Sequence, residues 1–311
     1  MSALAGNASI AVLDAAAPTR PTVARRMLRN RSILVGGAML ALVVLMAILA
    51  PLLGTTDPAQ VEPVLRNKRP GTVSTVRNAD GSQRVRTHWM GTDSLGRDVY
   101  SRVVYGARVS LMVGVTVALI SASIGLVIGV VSGYLRRLDA VVMRIMDGLM
   151  SIPAILLAIG LVSISRAGLR AVILAIVIPE VPRVVRLVRS VVLSIREEPY
   201  VEAAVALGAR TPALLVRHVM PNTVTPLIVQ ATFICASAIL IEATLSFLGV
   251  GIPPETPTWG NIMAEGRTLF RLFPHNVLFP GLFLAVTVLA VNMLGDGLRD
   301  RLDPKLAKRF A

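Results

Sequence analysis

The tightest constraint on this chain is residues 109–135, an unbroken stretch without one charged side chain. Roughly 20 apolar residues in a helix are enough to cross the ~30 Å hydrocarbon layer of a bilayer. Inside lipid every backbone N–H and C=O must be satisfied within the segment, so such a stretch folds as a helix. Residues 33–53 form a second charge-free stretch. Three more follow: 148–165, preceded by Asp147 and interrupted by Pro153; 223–241, continuing past Glu242 toward Gly251; and 272–295. The chain is 54% hydrophobic and only 16% charged, against about 25% charged in an ordinary soluble domain. The class is an all-α integral membrane protein.

Residues 167–187 carry a weaker signal. Their apolar part is short and ends in Pro179-Glu180-Val181-Pro182-Arg183. Topology argues for a span here, because without one Glu202 and the basic Arg136-Arg137 turn would face opposite sides. A segment broken by two prolines is tolerated at membrane depth when protein rather than lipid surrounds it. The expectation is therefore six transmembrane helices. With the N-terminus inside, cytoplasmic segments hold 19 of the 32 Lys and Arg, and nine of the other 13 fall in one long outer loop. Long loops weigh little in orientation, so both termini are expected in the cytoplasm.

This partition gives a basic cytoplasmic tail over 1–31, a first transmembrane helix over 32–54 and an extracytoplasmic loop over 55–106. A five-span core follows over 107–298, then a cytoplasmic tail over 299–311. Residues 1–21 lack the sustained apolar core of a cleavable signal peptide. In the outer loop, 72–77 and 82–87 alternate around Asn78-Ala-Asp-Gly81, the pattern of a short hairpin. Gly125 and Gly129, four apart, suit a close helix–helix approach. The net charge of +14 does not indicate a nucleic-acid partner, because the basic residues lie between apolar runs rather than on one folded face. The single cysteine, Cys235, sits in an apolar run as a small buried side chain. His88, His218 and His275 are too scattered for a metal site. Neither a phosphate-binding Gly-x-x-x-x-Gly-Lys-Ser/Thr loop nor a Gly-x-Ser-x-Gly elbow occurs, so no catalytic or nucleotide site is expected.

Between the fourth and fifth spans, 196–222 is polar and reads as two short helices. The first covers 201–207, with Glu198 and Glu202 at its N-terminal end, where negative charge is favoured. Gly208 then supplies the turn. The second covers 211–220, with Thr211 as N-cap, Pro212 at N1 and Pro221 as terminator. Glu180 and Glu242 lie at membrane depth, where carboxylates are candidates for a translocation pathway. Pairing of Glu180 with Arg183 is the bland alternative for the first. A hydrogen-bonding structural role is the alternative for the second.

The 202–222 stretch resembles the EAA loop of ABC importer permeases: Glu-Ala-Ala, three residues, Gly, nine residues, an aliphatic, one residue, Leu-Pro. Glu202, Ala203, Ala204, Gly208 and Pro221 match in spacing. His218 and Met220 replace the aliphatic and the Leu, and with Pro221-Asn222 they resemble the peptide-importer branch. Three further stretches are similar to that branch: His88 to Asp98 with Ser101-Arg102, Glu242 to Gly251 with Pro257-Thr-Trp-Gly260, and Asn292 to Arg299. The chain is similar to the second, "C-type" permease subunit of dipeptide and oligopeptide importers.

The resemblance implies a type I ABC importer permease fold and a passive, non-enzymatic half of a pore in the bacterial plasma (inner) membrane. It implies a homologous permease partner and two cytoplasmic ATPase subunits, or one fused ATPase, which bind the ATP and Mg. It also implies an extracytoplasmic peptide-binding protein, with no cofactor in this chain. Glu202, Ala203, Ala204, Gly208, His218, Pro221 and Asn222 would couple to the ATPase. Nickel or glutathione as cargo, and a secondary transporter, are the alternative readings. The Arg97-Asp98 and Arg102 group either meets the binding protein or braces the outer loop, and bracing is the expectation.

Overall fold

The computed structural model describes residues 30–77, 83–165 and 168–302. The tails at 1–29 and 303–311, and the turn expected at 78–81, lie outside the described residues.

Helix α1 (Arg31–Ile48) opens on Asn30, whose side chain accepts from the Ser32 amide. It closes ahead of Pro51, which has no N–H to continue the ladder. Strands β1 (Thr72–Arg77) and β2 (Gln83–His88) form an antiparallel hairpin with Thr72 opposite His88, one residue later on the second strand than the alternation implies.

Helix α2 (Val99–Tyr134) is 36 residues long, about 54 Å at 1.5 Å per residue. It starts ten residues before the charge-free run, because Asp98 caps it by accepting from the Ser101 amide at 2.8 Å. Helices α3 (Arg136–Met150) and α4 (Ala154–Ile164) meet at 85° across Ser151-Ile152-Pro153. The apolar stretch expected as one span over 148–165 is therefore broken. The residue before a proline disfavours the helical region, and Pro153 caps α4 in an extended conformation.

Helix α5 (Leu169–Arg196) keeps Pro179 and Pro182 inside a continuous helix. It is the buried post of the bundle, packed on α2, α4 and the long helix that follows it. Helix α6 (Pro199–Ala206) and helix α7 (Thr211–Phe247) come next. Helix α8 (Trp259–Gly266) begins with a capping box between Thr258 and Asn261, and helix α9 (His275–Leu302) completes the fold.

Among the described residues, four helices are long and apolar enough to cross a membrane: α1, α2, α7 and α9. The bent pair α3–α4 makes a fifth if it counts as one span. Helix α5 is apolar enough on average but is set apart from these four by its charges, because Glu180, Arg183, Arg186 and Arg189 fall within three turns of one another. Those charges find partners. Arg186 meets Asp147 at 2.5 Å and Arg189 is ion-paired with Asp139, both acids lying on α3.

Small residues set how closely the helices pack. Gly125, Gly129 and Gly133 on α2 face Val184, Val188 and Val192 on α5, and a Cβ on Gly129 would lie 2.7 Å from that of Val188. The pair read from Gly125 and Gly129 is thus part of a longer seam. A second core centres on Trp259, fully buried, whose indole donates to the Val103 carbonyl at 3.1 Å. Outward-facing side chains such as Leu42, Leu45, Leu119, Leu278 and Leu282 are more than half exposed. An apolar girdle of this extent marks a lipid-facing surface, where tails are as apolar as leucine.

Candidate functional site

The segment between α5 and α7 projects as a short knob. Glu198 is the N-cap of α6 and Pro199 its first residue, two positions earlier than the 201–207 helix read from sequence. The helix ends where Gly208 takes φ +81°, a conformation costly for any residue bearing a Cβ. The Gly208 amide donates to Val205 and the Ala209 amide to Ala204, closing the turn.

The second helix differs from expectation at both ends. Arg210, not Thr211, occupies the cap, with Pro212 one position inside. Pro221 does not terminate it. A π turn over Leu215–Val219 widens the ladder just before the proline, with the Met220 amide reaching back to Leu215, and the helix runs on to Phe247. A widened turn relieves the clash between a proline ring and the carbonyl four residues earlier.

The matched residues separate into a tip and a base. Glu202, Ala203 and Gly208 are exposed at the tip with Val205 and Leu207, while Ala204 is half-buried. Leu207 is 89% exposed, an unusual place for a leucine. Val201, Leu214 and Val219 are buried and pin the knob to the bundle. At the base, the Asn222 amide donates to the His218 carbonyl at 2.7 Å and to the Tyr200 hydroxyl at 3.2 Å. The Tyr200 and His218 rings are 6.3 Å apart. Tyr200 thus clasps α6 to α7, a role not read from sequence. Its only signal there is an aromatic in a chain where aromatics make up 4%.

Glu180 is fully buried midway along α5. It accepts from Arg183 at 3.0 and 3.2 Å and from Ser237 on α7 at 3.4 Å. Glu242 is also fully buried, accepting from Ser246 at 2.9 Å and from Ser110 on α2 at 3.3 Å.

At the opposite end of α2 from the knob, the His88–Asp98 stretch folds back on itself. His88 Nδ1 pairs with Asp98 at 2.8 Å and its Nε2 with Ser74 at 2.9 Å, fastening the hairpin to the start of α2. Arg97 meets Asp93 at 2.6 Å and is ion-paired with Glu265 of α8; Arg102, fully buried, lies 3.3 Å from Glu265. This buried network braces the loop against α8. Burial outweighs the neighbouring Arg102 and Arg97 guanidiniums and lifts the Glu265 carboxyl above its usual range. Among the described residues no group of three His, Cys, Asp or Glu is placed to hold a metal ion.

Residues 125–308 match the family model described as binding-protein-dependent transport system inner membrane component. Residues 22–70 match the N-terminal transmembrane domain of oligopeptide transport permease C. A probable peptide ABC transporter permease protein of Sinorhizobium fredii is 51% identical over 288 residues, 93% of this chain and 94% of that protein. A dipeptide transport system permease protein of Alkalihalophilus pseudofirmus is 41% identical over 286 residues, 91% of this chain and 88% of the relative. Among solved structures, an inward-facing form of the MetNI methionine ABC transporter aligns with a TM-score of 0.50 at 21% identity, over 64% of this chain and 96% of that one. At that identity the likeness speaks for the fold alone.

Proposed function

Because this chain belongs to the binding-protein-dependent transport inner membrane component family, and is the peptide-class permease subunit of an ABC importer, we propose that it forms half of a translocation pathway worked from its α6–α7 knob. A cytoplasmic ATPase receives the exposed tip in a groove. Small residues at Ala203 and Ala204 permit close approach, Gly208 sets the turn, and Leu207 supplies the apolar contact. His218, Pro221 and Asn222 hold the base in register. Closure of the ATPase pair on ATP and Mg moves the knob, and α5 and α7 move with it. The motion requires the ATPase to contact the knob differently in its two states.

In this reading α3–α4 is one broken span and the continuous α5 is a further span, making six, with both termini and the knob in the cytoplasm. The hairpin lobe and α8 lie outside, within reach of a peptide-binding protein. A homologous permease completes the pore, and two ATPases or one fused ATPase complete the complex. Glu180 belongs to the pathway; Glu242, bonded to Ser110 and Ser246, joins α2 to α7. Peptides are the cargo, and competition with nickel, glutathione and peptides of graded length on the assembled complex tests that assignment.

The observation that carries the reading is the knob's tip: a leucine almost wholly exposed beside Glu202, on a glycine-held turn that is anchored by buried Val201, Leu214 and Val219. Glu202→Ala should leave membrane insertion intact and uncouple ATP hydrolysis from uptake. In intact cells an Ala206→Cys thiol should resist impermeant reagents from outside. Unaltered transport, or labelling from outside, refutes the proposal.

A further inference from the structure

Arg183 lies near the midpoint of α5, about 20 Å from either end at 1.5 Å per residue, yet its side chain is 47% exposed in a helix read above as a span. A guanidinium at that depth cannot face hydrocarbon and must face water or protein. Beneath it a cleft of about 960 Å³ runs between the second half of α5 and the first half of α7. Leu187, Ser190 and Ser194 line its α5 wall, and they follow Arg183 at the spacing of one helix face. Gln230 and Phe233 line the α7 wall, and Ser237 continues that face one turn beyond Phe233. The cleft is therefore headed by the Glu180–Arg183–Ser237 node. Glu198 and Arg299 line it beside Tyr200 and Asn222 of the knob's base.

We propose that Arg183 is a carboxylate-binding residue of the translocation pathway, taking the anionic end of a peptide as it passes into this cleft. The inference rests on the peptide-permease reading above. Glu180 is the positioning residue. Fully buried and held by Ser237, it fixes one edge of the guanidinium and leaves the other free. A planar guanidinium presents its donors as a fork that fits a carboxylate two-pronged, whereas lysine offers a point charge. The hydroxyl and amide groups of Ser190, Ser194 and Gln230 suit the peptide backbone that trails the carboxylate.

The test uses the full complex with its partner permease and ATPases, carrying Ser190→Cys in a Cys235→Ala background. A charged, water-soluble thiol reagent should modify the introduced thiol. A tripeptide with a free carboxylate should slow that modification several-fold, and the same tripeptide as its C-terminal amide should not. Arg183→Gln should abolish the protection, a loss on the order of tenfold in apparent peptide affinity for one charge-assisted contact. Arg183→Lys should restore part of it.

No modification of the thiol would mean that the partner permease or lipid fills the cleft, and would overturn the proposal. Absence of protection, equal protection by acid and amide, or protection indifferent to Arg183→Gln would overturn it as well. If any of these occurs while the unaltered complex imports the tripeptide, the role of Arg183 falls and the permease reading stands. If the unaltered complex imports no peptide, the permease reading itself falls.

Discussion

Replacement of Gly208 isolates the backbone conformation of the knob from its packing. At φ +81° a residue with a Cβ carries a penalty of about 1–2 kcal/mol. A Cβ built there would meet nothing within 4 Å, so no steric clash adds to it. At 1.4 kcal/mol per tenfold, Gly208→Ala should lower the population of the native turn, and the apparent affinity for the ATPase, by about five- to thirtyfold. Gly208→Val should do more, being β-branched. Gly208→Asn should do least, because asparagine tolerates the left-handed region. Peptide-stimulated ATP hydrolysis in proteoliposomes, beside co-purification of the ATPase, would rank the variants. Thermal stability of the isolated subunit should fall by no more than that backbone penalty, since no clash adds to it. Equal, wild-type coupling in the alanine and asparagine variants would refute the reasoning, as would a rank order following side-chain volume alone.

Gly129→Leu should cost about 1–3 kcal/mol by overpacking against Val188, shortening the lifetime of the protein in detergent, while Gly37→Leu, with open space around it, should be neutral. A denaturation time course on both variants checks the contrast. Because the Glu265 carboxyl is lifted, the folded chain takes up its proton at higher pH than the unfolded chain does. That contribution is complete below the ordinary carboxylate range and is lost as pH rises through the lifted value. Melting temperature should therefore rise on mild acidification, and Glu265→Gln should flatten that rise.

Much of the fold was legible because lipid punishes polar residues so heavily. The 33–53, 109–135, 223–241 and 272–295 stretches all fall largely within long helices. The knob was legible because Gly208 and Pro212 act through local backbone geometry, although the helix start at Pro199 was not read. The signals that failed depend on tertiary partners. Nothing in hydropathy reveals that α2 begins at Val99, since Arg102 is buried only because Asp93 and Glu265 surround it. The charges that follow Pro179 make α5 a weak span by sequence, and the acids that pair with Arg186 and Arg189 come from α3. Pro221 reads as a terminator until the π turn ahead of it is seen. The Glu180–Ser237 bond joins residues on separate helices and carries no local signature.

The glycine seam between α2 and α5 limits how these helices can move. Val184, Val188 and Val192 sit one helical turn apart in the recesses at Gly125, Gly129 and Gly133. To slide along α2, α5 would have to jump a whole notch, about 6 Å for four residues, and every smaller offset drives a valine into backbone. The pair thus behaves as a single bar in which piston motion is forbidden. Alternation between inward and outward states must be borne by tilting of that bar and by a hinge along its face toward α7, where Gly114 against Ile239 makes one notch in place of three in register.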